Sequence, residues 1–228
     1  LVLGGDVDHE QIIKRVEEHT SGWIGDVDGT TIKEVPSQRG VHWIQQDTSQ
    51  VHLAFAFDGP TASSPNSILE SVAISVFGGA TSGRLFTQVR QRRSLCYSVS
   101  AQYAPTKERS VVRMHAGTTP ERAEETAQVC LEQLAELKNG ITEEEFLRTI
   151  QRMKSRTVMH GESTSARATS IWGDQYALGK ARTLEERLKE IEAVKHSDVN
   201  TWLEEREFGT ITCVAVGPEK LYIEHPLV

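Results

Sequence analysis

The order in which hydrophobic periodicities follow one another constrains this chain most. "VHWIQQ" (41–46) and "QVHLAFAF" (50–57) read as strands, the second bounded by the turn "DGP". "SSPNSILESVAISVFGG" (63–79) switches to a helical pattern, with Ser64 as N-cap, Pro65 in the first turn and Gly78-Gly79 at the stop. "CYSVSAQYA" (96–104) and "SVVRMHAG" (110–117) are two further strands, and the short "PTKER" between them predicts an antiparallel pair. From Thr119-Pro120 onward the pattern is helical. An acidic helix runs to Asn139-Gly140, the capping box in "TEEE" opens another toward His160, and more follow over about 164–179, 183–194 and 198–207. "TITCVAVG" (210–217) returns as a buried strand. Strands, then helices, then one returning strand predict an α+β fold: a mostly antiparallel sheet with helices packed on one face.

Ahead of this block, "LVLGGDVD" (1–8) reads as a short buried strand, and the following helix is capped by Asp8 with Ile12, Ile13 and Val16 on one face. One strand and one helix cannot hold a core. Residues 1–24 are therefore expected to belong to a preceding domain. Residues 25–40, rich in Gly, Asp and Thr, form a linker, and 41–228 a second domain.

No apolar run approaches the ~20 residues needed to cross a bilayer, and the chain reads as a soluble protein with no membrane partner. Cys96, Cys130 and Cys213 are odd in number and widely spaced, which argues for buried apolar positions and against a disulfide framework or zinc-thiolate site. Eight histidines include no H-x-x-x-H, H-E-x-x-H or H-x-x-E-H; the nearest fragment is "YIEHP" (222–226). "DVDG" (26–29) opens like a calcium loop but lacks its later ligands, so a turn is expected. No metal site is expected in this chain. "GGATSG" (78–83) is not a P-loop, because no Gly-Lys-Ser/Thr follows; Ser82 is expected to cap the next helix.

That helix carries the strongest local anomaly. Arg84, Arg90, Arg92 and Arg93 crowd into ten residues, with no Asp or Glu between Glu70 and Glu108, in a chain of net charge −7. Three readings stand. The basic face is solvated; or it binds phosphate, with Tyr97 or Tyr103 stacking on bases; or Arg90 and Tyr97 converge on one carbonyl oxygen as two hydrogen-bond donors. Leu85, Phe86 and Val89 form the inward stripe in each case. A pI near 5.7 argues against a nucleic-acid partner.

The segment "GGATSGRLFTQVRQRRSLCYSVSA" (78–101) resembles "GGG-x-S-S-R-L-F-x-x-x-R-E-x-x-G-L-x-Y-S-V" of the C-terminal domain in the pitrilysin, insulinase and mitochondrial processing peptidase family. Gly78, Gly79, Ser82, Arg84, Leu85, Phe86, Arg90, Leu95, Tyr97, Ser98 and Val99 match. The resemblance extends outward: residues 1–24 look like the last strand and helix of the preceding zinc domain, and "ITCVAVGP" (211–218) like the closing strand of this one. Four positions depart from the pattern: Ala80 and Ser94 stand where the family has glycine, Gly83 where it has serine, and Gln91 where it has glutamate.

The resemblance implies a domain of a zinc metalloendopeptidase whose halves close around an unfolded peptide. Zinc is then held by an upstream domain or a zinc-bearing partner subunit, in a homo- or heterodimeric whole, and this chain alone is inactive. Arg90 and Tyr97 are the implied catalytic residues, and Ser82 and Arg84 the substrate-binding ones. A non-catalytic structural or binding homologue of the same family is the alternative, and nucleic-acid binding through Arg84–Arg93 a further one.

Overall fold

A computed structural model describes residues 1–25 and 38–223. Most of the linker, "DVDG" and the end of "YIEHP" lie outside them. Helix α1 (His9–Thr20) begins where Asp8 accepts from the Gln11 amide, as its sequence predicts. The expected strand before it does not form: residues 1–8 pair with no strand, and Leu1 is 90% exposed. An apolar run becomes a strand only where a sheet edge meets its backbone groups, and none does so here. Ile12 and Val16 are half-buried and Ile13 is exposed.

The second region builds one sheet from β1 (Gly40–Gln45), β2 (Val51–Gly59), β3 (Ser98–Ala104), β4 (Ser110–Thr118) and β5 (Thr212–Gly217), in the order β1-β5-β2-β4-β3. All pairings are antiparallel except β1 with β5. The period of two separates its faces. Val51, Leu53, Phe55 and Phe57 of β2, Val112, Met114 and Ala116 of β4, and Cys213 and Ala215 of β5 are buried under helices. His52, Ala54, Arg113, His115, Ser98 and Ser100 lie on the open face.

The covering layer includes α2 (Ser67–Gly78), α3 (Ala123–Glu136), α4 (Glu143–Glu162) and α7 (His196–Glu205); α5 (Thr164–Leu178) and α6 (Leu184–Ala193) extend it beyond α4. The capping box at Thr142 and Glu145 forms as predicted, and a second, unforeseen one at Thr183 and Glu186 opens α6. Gly140 ends the preceding turn with φ +86°, a conformation glycine adopts without penalty. Helix α2 starts later than expected: the Ser64 hydroxyl accepts from the Asn66 amide in a turn, and the helix begins at Ser67. At its other end, a Cβ on Gly78 would stand 2.5 Å from the Ala101 nitrogen, so only glycine lets α2 meet β3 this closely.

One buried network was not foreseen. Glu70 of α2 is fully buried, accepting from the Trp202 indole (2.9 Å) and from Arg206 (3.2 Å), whose guanidinium also donates to the Asp58 carbonyl. It fastens α2, α7 and the end of β2 together.

Candidate active-site face

The arginine-bearing segment leaves α2 through a tight turn in which Gly83, not Ser82, supplies the first helical carbonyl, to Thr87. A side chain at Gly83 would meet the carbonyl oxygens of Ala80, Phe77 and Val76 at 3.1–3.2 Å. Glycine at this departure from the family pattern thus fits a spot hemmed by backbone. Ser82 lies exposed in the turn.

From Phe86 to Arg92 the chain winds as a π-helical turn. Such turns insert an extra residue into the helical ladder and are frequent at functional sites. Leu85 and Val89 are fully buried, Phe86 is half-buried, and Arg90, Arg92 and Arg93 point to solvent. The segment closes with the Leu95 amide on the Val89 carbonyl (2.9 Å) and Ser94 at φ +53°, the left-handed conformation that favours the glycine standing there in the family pattern. Buried Thr118 and Thr126 both donate to the Leu95 carbonyl, fixing the passage from helix to β3.

Arg90 and Tyr97 flank this passage. The Arg90 guanidinium rests over the Phe86 ring, 5.0 Å from its centroid, a cation–π placement that keeps its donors outward. Tyr97 is 60% exposed, its amide bonded to the Gly117 carbonyl one residue before β3 begins. Between them in sequence lies Cys96: burial pushes its thiol up, and the nearby Arg90 charge pulls against that rise. Beside Tyr97, Ser98 lies across from Gly117, and His52 and His115 stack with centroids 5.6 Å apart. Burial, then the charge of His52, pushes the His115 imidazole below its ordinary value. The polar phase of β2 and β4 held the only signal for these two histidines.

The other two expected residues are placed differently. Arg84 is turned inward: Nε and Nη2 each lie 2.8 Å from the Glu145 carboxylate, and Nη2 also donates to the Gly140 carbonyl at 2.8 Å. It binds the motif to the start of α4, which leaves its guanidinium with internal partners where a substrate contact was expected. Tyr103, considered as a base-stacking residue, instead donates to the Pro60 carbonyl and bonds the Ser67 hydroxyl. Ser82 stays near Arg84 in sequence but faces solvent. Among the described residues no group of three or more His, Cys, Asp or Glu side chains is placed to hold a metal ion. All three cysteines are free and buried.

A model of the family described as "Peptidase M16 inactive domain" matches residues 1–153. The uncharacterized zinc protease YmxG of Bacillus subtilis is 30% identical over 157 residues, covering 68% of this chain and 38% of that protein. An uncharacterized zinc protease of Rickettsia bellii is 23% identical over 222 residues, or 97% of this chain and 54% of its own length. The chain thus spans about half the length, or less, of these curated relatives. Among solved structures, the peptidase M16 inactive domain from Pseudomonas fluorescens shares the fold at TM-score 0.75 and 20% identity, over 98% of this chain and 54% of that one. A Helicobacter pylori protease does so at TM-score 0.76 and 19% identity, over 93% of this chain and 54% of that one. With the motif, the helix-covered sheet and these likenesses together, the chain belongs to the peptidase M16 family, as its inactive domain.

Proposed function

We propose that this domain presents Arg90 and Tyr97 to the peptide substrate of a zinc metalloendopeptidase. The observation that carries the reading is the π-helical turn, which buries Val89 and leaves Arg90 outward over Phe86 while Tyr97 stands exposed across the Ser94-Leu95 bend. A guanidinium and a phenol are the two donors that suit a carbonyl oxygen gathering negative charge. The stated names of the relatives as zinc proteases support the reaction class.

Among the described residues no group of three or more His, Cys, Asp or Glu side chains is placed to hold a metal; on this reading the zinc of the intact enzyme is carried by an upstream domain or a partner subunit. The roles argued for this chain are its own: binding an extended peptide along the open sheet face, orienting it, and donating hydrogen bonds from Arg90 and Tyr97. Arg84 acts through Glu145 to hold the motif, and Ser82 stands at the motif's exposed rim. Residues 1–24 are read as the tail of the preceding domain.

Reconstitution tests this. Peptide cleavage should appear when the zinc-bearing part of the protein is combined with this chain, and should fail with an Arg90→Ala chain of unchanged stability. If the zinc-bearing part cleaves equally fast alone, or no combination cleaves, the domain is a structural or binding homologue and the reading falls.

A further inference from the structure

Away from the motif, the ends of α4, α5 and α6 enclose a second feature of the molecule. A cavity of about 380 Å³ is walled by Arg156 and His160 of α4, Arg167 of α5, and Arg182 and Arg187 at the start of α6. No carboxylate lines it. In a chain of net charge −7, four guanidinium groups and an imidazole around one hollow need a reason.

The four arginines are not equivalent. Arg182 and Arg187 are half-buried and held by Asp174, which lies behind the cavity and is itself 5% exposed. Arg182 also reaches Glu190, and Arg187 the Ser170 carbonyl. These two form a fixed inner wall. Arg156 and Arg167 are exposed and, among the described residues, have no hydrogen-bond or ion-pair partner for their side chains. Arg182 and Arg187 are thus answered by Asp174 and Glu190, with Glu186 also acting on Arg182, which leaves Arg156 and Arg167 as the charges without a carboxylate partner among the described residues. Guanidinium groups gathered around a concave space match the planar faces of phosphate oxygens better than any other side chain does. Ile171 and Leu184 supply an apolar wall, and the volume exceeds what a bare phosphate fills.

We propose that this cavity is a binding site for a small phosphate-bearing ligand, a phosphate monoester or diphosphate with a compact organic part. The uncompensated pair Arg156 and Arg167 holds the phosphate, and Arg182 and Arg187, tied to Asp174 and Glu190, form the fixed wall behind it. The site is independent of the Arg90 and Tyr97 face and needs no zinc.

Isothermal titration of the whole chain with sodium pyrophosphate tests it, with single-stranded oligonucleotide as a second titrant. One saturable pyrophosphate site per chain is expected at submillimolar affinity. The double variant Arg156→Ala/Arg167→Ala should weaken it by roughly tenfold or more with an unchanged melting temperature, since neither side chain holds the fold. Arg92→Ala/Arg93→Ala should bind as the parent does. No binding at millimolar pyrophosphate, or equal binding by the Arg156/Arg167 variant, overturns the proposal. So does an oligonucleotide that uses the same two arginines and binds more tightly than pyrophosphate.

Discussion

Arg84 and Glu145 meet as a bidentate ion pair, both nitrogen–oxygen distances 2.8 Å, with side chains only 17% and 18% exposed. Glu145 simultaneously caps α4, accepting from the Thr142 amide and hydroxyl. One carboxylate therefore anchors the arginine-bearing segment and starts α4.

Burial alone would raise the Glu145 carboxyl, but the Arg84 and Thr142 hydrogen bonds outweigh it and hold it below its ordinary value. A depressed carboxylate contributes stability that is present above its unfolded value, near pH 4.3, and is lost as pH falls through the folded value. Glu145→Gln should lower stability at neutral pH by about 2–3 kcal/mol. Urea denaturation at pH 7 and at pH 3.5 should show the difference from the parent shrinking in acid.

Glu70 and Arg206 are the pair whose disruption should hurt most. Truncating Glu70 to Ala leaves a buried guanidinium without its counter-ion, and the expected loss is about 3–5 kcal/mol. The free energy of unfolding extrapolated from urea denaturation should fall by that amount. A loss within error would mean that Trp202 and the Asp58 carbonyl suffice to hold Arg206.

Ser94 sits in the left-handed region, which costs a residue with a side chain about 1–2 kcal/mol, while glycine gives back about 0.5–1 kcal/mol in chain entropy. Ser94→Gly should therefore raise stability by about 0.5–1 kcal/mol, read as a melting temperature a few degrees higher. Ser94→Ala should bring no such gain.

The three thiols are expected to be inert in the native protein. Burial pushes Cys96 and Cys130 up, and Cys213 up to about 12. A thiol reagent at pH 8 should label none within minutes, and all three in denaturant. Rapid labelling of Cys96 alone would show that the bend before Tyr97 opens.

What was legible in the sequence is what local chemistry encodes. Asp8, Thr142 with Glu145, and Asn139-Gly140 mark helix ends because caps act over three or four residues. The turn "DGP" marked the end of the strand that carries Leu53, Phe55 and Phe57, although which face they line came only with the sheet. What was not legible depends on partners far along the chain. Glu70 looked like a polar residue in an apolar helix until Arg206, 136 residues on, came beside it. Arg84 looked like a substrate arginine until Glu145 claimed it. "LVLGG" carries a strand composition but no edge to join. The π turn is a ladder shift that residue types do not announce, yet it decides which way Arg90 faces.

The central claim is that Tyr97 donates to the reacting carbonyl. Its most direct test is kcat for peptide hydrolysis by the intact enzyme with Tyr97→Phe, a change that removes one exposed hydroxyl and no packing. The account predicts kcat about 10–1000-fold lower with the melting temperature unchanged. An unchanged kcat would contradict it and remove Tyr97 from the chemistry.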